Sequence, residues 1–232
     1  MQRHGWMSAG LPILAGVAAS LSLAPSQIHA TPRTFTGGGM WTNEALWTGG
    51  IVPADGDDVT IAGTVTNDTS TAVLTSYTLD ATYTHTFLGS NTFLYATNVT
   101  VNGAITHAAN TDTGTPWVAD NLVNIVAYSN VTIGASGSIN VDGKGYAGSQ
   151  VSYAYGRGPG GGFGSANHGF GGGHGGLGAG APGGATYDST NAPTEPGSGG
   201  GNCNGAAQPG GNGGGAVRIQ AGGTVQVDGT LT

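Results

Sequence analysis

The feature that most constrains this chain is one short phrase written four times: Val59-Thr-Ile-Ala-Gly-Thr-Val-Thr66, Val99-Thr-Val-Asn-Gly-Ala-Ile-Thr106, Val131-Thr-Ile-Gly-Ala-Ser-Gly-Ser-Ile-Asn140 and Val225-Gln-Val-Asp-Gly-Thr-Leu-Thr232. In each, β-branched residues or Leu fill every second position around a glycine, so one face is apolar and the other carries Thr, Ser, Asn or Gln. The pattern predicts pairs of short strands joined at glycine corners. A unit this small cannot bury its apolar face alone, and copies become stable when each stacks on the next. The expected fold class is therefore all-β, a parallel β-helix or solenoid, with coils over 59–142 and a further coil over 216–232.

Residues 1–30 read as a separate object. Arg3 and His4 give a weakly basic start, Gly10 to Leu23 is an uncharged apolar run, and Ile28-His29-Ala30 is a small-residue cleavage site. The run, interrupted by Pro12 and Gly16, is too short to span ~30 Å of hydrocarbon, so a secretory signal peptide cut after Ala30 is expected. Nothing after it approaches a membrane span, and the expected location is secreted or cell-surface. The chain carries 5 Lys and Arg against 12 Asp and Glu, a formal charge of −7. Beyond the leader the only cations are Arg33, Lys144, Arg157 and Arg218, which argues against nucleic acid or anionic membrane as partners, because both require clustered basic residues. Cys203 is the single cysteine, so no internal disulfide can form, and stacking, hydrogen bonds or ions must supply the stability.

Residues 31–58 read as a cap. The open end of a solenoid exposes unpaired strand edges and an apolar cross-section, and Trp41 and Trp47 are bulky enough to cover it. The order Trp41, Trp47, Gly49-Gly50, Val52-Pro53, Gly56-Asp57 and Val59-Thr-Ile61 resembles the opening of secreted bacterial β-helix proteins and of the extracellular G8 module. The resemblance covers about thirty residues from Met40 and implies an extracellular all-β fold; it brings no catalytic residue with it. From Asn67 to Ala127 the chain continues in Thr-rich, β-branched and aromatic runs of strand composition, among them Tyr83-Thr-His-Thr-Phe-Leu88 and Leu122-Val-Asn-Ile-Val-Ala127, and 108–120 is expected to be a loop.

After Asp142 the composition changes. Most of the chain's 47 glycines fall within 143–215, in runs such as Gly158-Pro-Gly-Gly-Gly-Phe-Gly164. Two readings stay open: a disordered low-complexity insert, or ordered polyglycine-II-like packing, for which Gly169, Gly172, Gly175 and Gly178 have the period of three. Val141 to Tyr146 leading in and Gly213 to Ile219 leading out resemble the flanks of glycine-rich blocks in secreted bacterial solenoids, which favours an insertion within one solenoid. The chain stops at Thr232 after a complete strand-corner-strand phrase, so either further coils or a covering chain are expected.

Candidate chemistry is sparse. Asp55, Asp57 and Asp58 cluster around Gly56 as a weak calcium candidate, against the alternative of a polar turn; no other cofactor is expected. His168 and His174 lie among glycines, with His85 and His107 in strand runs, too few and too scattered for a metal centre. Glycoside cleavage needs two carboxyls on one groove, and beyond the leader the only glutamates are Glu44 and Glu195, with no aspartate pair inside a strand run. Thr64-Val-Thr66, Thr82-Tyr-Thr84 and Thr84-His-Thr86 suggest an ice-binding face, but they do not recur at a fixed interval. The leading expectation is an exported, non-catalytic structural or adhesive segment that meets glycans, matrix, cell-surface components or its own copies. The alternative is the N-terminal part of a secreted β-helical polysaccharide hydrolase or lyase; the third is an ice-binding solenoid.

Overall fold

The computed structural model describes residues 30–189, 191–203 and 208–232. The expected signal peptide, apart from Ala30, lies outside the described residues. The described chain is all-β: one curled parallel sheet of 12 strands and a single 3-10 turn, Glu44–Leu46. No helix among the described residues is long and apolar enough to cross a membrane.

Strand β1 (Pro32–Met40) pairs along its whole length with β2 (Asp58–Asn67). The first half of β2 supports β3 (Leu74–Leu79) and its second half β4 (Thr84–Phe87). These in turn support β5 (Leu94–Val101) and β6 (Ala104–His107). Next come β7 (Val123–Ala127) and β8 (Val131–Ile133) on β5, and β9 (Ser138–Ile139) on β6. Last, β10 (Val217–Ala221), β11 (Val225–Val227) and β12 (Thr230–Leu231) add to β7, β8 and β9. Every one of these ladders is parallel. Parallel neighbours require crossover connections, ordinarily helical; here loops make the crossings.

Three of the four repeated phrases fold as strand, corner, strand: β5 and β6, β8 and β9, β11 and β12. Their corners stack closely, since a side chain at Gly137 would place Cβ 2.0 Å from the carbonyl oxygen of Val101. The first phrase differs from expectation. β2 runs unbroken through Gly63, which serves close approach to β1 rather than a corner: its Cβ would lie 2.4 Å from the Gly37 carbonyl oxygen.

Register turns the alternating pattern into inward columns. Phe35, Ile61, Leu79, Val101, Ile133 and Val227 follow one another across the sheet, as do Val59, Tyr77, Val99, Val131 and Val225. All except the two valines of β11 are buried, and each such side chain contributes about 1.5–3 kcal/mol on burial. Polar residues interrupt two further columns: Val65 is followed by His85 and then Ile105, and Asn67 by Phe87 and His107. His85 is held between Trp41 and Phe87, ring centroids 6.3 and 4.7 Å away, and its Nδ1 meets the Tyr77 hydroxyl.

The residues expected to form a cap already belong to the sheet through β1. Trp41 and Trp47 are 1% and 3% exposed and pack edge-to-face at 4.7 Å. The indole N–H of Trp47 donates to the Trp41 carbonyl, and Trp47 and Thr48 run antiparallel against Phe35 and Thr34, covering the edge of β1 that no strand pairs.

Residues 143–216 lie between β9 and β10 and contain no strand among the described residues. Their order comes from backbone hydrogen bonds centred on 197–202. Gly197 and Gly200 donate to Gly214 and Gly211, Ser198 and Gly201 to Gly173 and Phe170, Gly199 and Asn202 to Arg157 and Ala154, at 2.8–3.4 Å. The carbonyls of Gly197, Gly199 and Gly200 accept from Tyr146, Gly162 and Ser149. Bond direction thus rotates with a period of three residues, whereas a sheet alternates with a period of two.

Candidate functional site

The three clustered carboxylates are occupied separately. Asp57, buried, forms a 3.2 Å ion pair with Arg33 and accepts from the Ala54 amide. Asp55 accepts from the Val73 amide at 2.7 Å, and Asp58 from the Ser76 hydroxyl at 2.6 Å. Asp55 and Asp58 tie the turn before β2 to the segment of β3, whereas Asp57 ties it to Arg33 on β1. Among the described residues no group of three or more His, Cys, Asp or Glu could hold a metal ion.

The histidines are not brought together either. His168 stacks on Phe170, His174 lies against Tyr187 with Nε2 3.3 Å from Asp188, and His85 and His107 sit inside the sheet. Burial lowers the pKa of His85 to about 3, so it is neutral at physiological pH. Burial also lowers that of His107, whose Nδ1 meets the Ala108 carbonyl and whose Nε2 accepts from the Ala216 amide. Glu44 lies on the 3-10 turn, while Glu195 accepts from the Tyr146 hydroxyl. Burial, then the Glu195 charge, raises the pKa of that phenol.

What the fold does assemble is an outer face of aligned hydroxyls. Thr34, Thr60, Thr78, Thr100 and Thr132 are register partners in successive layers, and Gln226 follows. A second column holds Thr66, Thr86 and Thr106, and a third, two residues earlier, runs Thr84, Ala104, Ser138 and Thr230. All are on the outward phase of the strands. The hydroxyls of the first column, and those of Thr66 and Thr86, make no hydrogen bond among the described residues. Along a column neighbours are ~4.8 Å apart, and within a strand i and i+2 are separated by ~6.7 Å. Thr82 is not part of this array, because it sits in the turn before β4 with φ 76°.

A second feature lies where the glycine-rich segment meets the sheet. A groove of about 170 Å³ is floored by Phe93, Asn124 and Arg218 and roofed by Pro193 and Thr194. Arg218 on β10 is the register partner of Asn124 on β7. Asn124 is on the outward phase yet only 3% exposed. Its amide nitrogen donates to the carbonyls of Ser90 and Thr92, and its Oδ1 accepts nothing. Asp188 pins the roof by accepting from the amides of Thr194 and Glu195 at 2.7 and 2.8 Å. Burial works to raise the pKa of Asp188, but the amide donors outweigh it and hold the carboxyl below its usual range.

Sequence reasoning named Thr66, Thr84 and Thr86 but missed the columns they join, and it missed the groove. The columns are invisible because the interval between their members changes from layer to layer, and the groove joins residues some 125 positions apart, Phe93 to Arg218. No protein-family model, curated protein or solved structure matches the chain.

Proposed function

We propose that this chain is an exported, non-catalytic structural or adhesive β-solenoid segment, with a G8-like opening and a glycine-rich insertion packed in a polyglycine-II-like bundle. It acts at the cell surface or in the extracellular matrix, where it meets glycans, matrix or copies of itself. The observation that carries this reading is the run of register-matched threonines with unengaged hydroxyls on the outer face. Such a face offers many equivalent weak polar contacts, so binding strength grows with the number of layers and of molecules presented. The experiment is sedimentation of the protein with insoluble polysaccharides. Thr78→Val alone is expected to leave retention nearly unchanged, and Thr60→Val, Thr78→Val and Thr100→Val together to abolish it. Equal retention of the triple variant, or no retention of the native protein on any surface, refutes the reading.

The same array favours a second reading, ice binding. Thr64-Val-Thr66 and Thr84-His-Thr86 lie in adjacent strands, with Thr66 opposite Thr86, and so form a two-dimensional grid of hydroxyls. Thermal hysteresis of the purified protein decides: growth inhibition that Thr86→Val removes supports it, and freezing at the equilibrium point refutes it.

A further inference from the structure

We infer that the groove between β10 and the roof at Pro193–Thr194 is a binding site for one acidic pyranose, a uronate-type sugar. The inference rests on the adhesive reading and names a ligand class for a separate site on the same molecule. Three groups of different chemistry converge there. Phe93 lies half-exposed and stacked on Tyr95, ring centroids 5.5 Å apart, which extends an aromatic surface for the C–H face of a sugar ring. Asn124 keeps Oδ1 unpartnered although the residue is almost wholly buried, an acceptor left for a sugar hydroxyl. Arg218 is exposed and forms no ion pair among the described residues, so its guanidinium can take a carboxylate through two parallel N–H donors.

Size and polarity narrow the ligand further. About 170 Å³ is well below the roughly 300–1,000 Å³ of sites for drug-sized ligands, which limits the groove to a single ring. The adjoining hollow shares Pro193, Ala216 and Val217 but contains Glu195, which repels a second carboxylate and accepts hydroxyls. The acid group is therefore directed to the Arg218 end.

The test is isothermal titration of the whole chain with monomeric galacturonate, and with galactose as the uncharged counterpart. Galacturonate should bind and galactose at least tenfold more weakly. Arg218→Gln, at an exposed position that leaves the fold intact, should lower uronate affinity at least tenfold and leave the neutral ligand unaffected. Added salt should weaken the uronate alone. Equal affinity for both ligands, an unchanged Arg218→Gln variant, or no uronate binding overturns the inference. A protein that sediments with polysaccharide through its threonines but ignores galacturonate sinks only the groove, whereas uronate binding without sedimentation sinks only the adhesive face.

Discussion

The substitution Gly199→Ala separates an ordered glycine bundle from a loose glycine-rich loop. In a loose loop, Gly→Ala removes backbone freedom from the unfolded chain and stabilises by about 0.4–1 kcal/mol. In the structure the new Cβ would lie 2.1 Å from the Ala147 carbonyl oxygen and 2.5 Å from the Gly148 nitrogen. Both are backbone atoms that no rotamer change can move aside. Overpacking of this kind costs about 1–3 kcal/mol. Displacing the segment also strains two hydrogen bonds, from Gly199 to Arg157 and from Gly162 to Gly199, together worth about 1–3 kcal/mol. After the entropic gain is subtracted, the net destabilisation is about 2–5 kcal/mol. With a urea slope of about 2 kcal/mol/M, the middle of the usual range, the midpoint should fall by about 1–2.5 M. Gly175→Ala and Gly211→Ala, where nothing lies within 4 Å of the new Cβ, serve as controls and should be neutral or mildly stabilising. Amide hydrogen exchange over 197–202 reports the same loss locally. A Gly199→Ala variant that unfolds at or above the native midpoint, with exchange unchanged, refutes the packed bundle.

Three further outcomes follow from the interior and the turn before β2. His85 has a folded pKa of about 3 against the ordinary 6.5 of an unfolded chain, so its contribution is complete above pH 6.5 and is lost as pH falls toward 3; the slope is about 1.4 kcal/mol per pH unit. His85→Phe should flatten the fall in urea midpoint between pH 6.5 and 4, and a variant as acid-sensitive as the native protein contradicts this. Asn67 is buried with neither Oδ1 nor Nδ2 hydrogen-bonded, so Asn67→Leu should stabilise by about 1–3 kcal/mol in thermal unfolding; a lower melting temperature would show that the amide is held. Because Asp55, Asp57 and Asp58 are separately engaged, millimolar calcium should leave the melting temperature unchanged, and a rise would restore the calcium candidate.

Much of the strand inventory was legible from residue order. Leu122 to Ala127 contains β7, Tyr83 to Leu88 contains β4, and three of the four repeated phrases fold as strand pairs at glycine corners. Period-two alternation is a local property, set by which side of the pleat each residue occupies, and the chain carries it in full. Gly63 shows the limit of that reading: a corner and a close approach both demand glycine, and only the neighbouring β1 distinguishes them.

Sequence alone thus determined the β character, the inward and outward faces, the shortage of cations and of paired carboxyls, and the abrupt entry into glycine after Asp142. Tertiary structure alone decided which outward residues meet. Thr60 and Thr78 become neighbours, as do Thr100 and Thr132, because parallel register aligns strands regardless of how much loop separates them. Asn124 and Arg218 meet across 94 positions for the same reason, with the whole glycine-rich segment between them in the chain. Loop length sets the interval in sequence, while backbone hydrogen bonding and buried side-chain stacking set the interval in space, and recognition depends on the second.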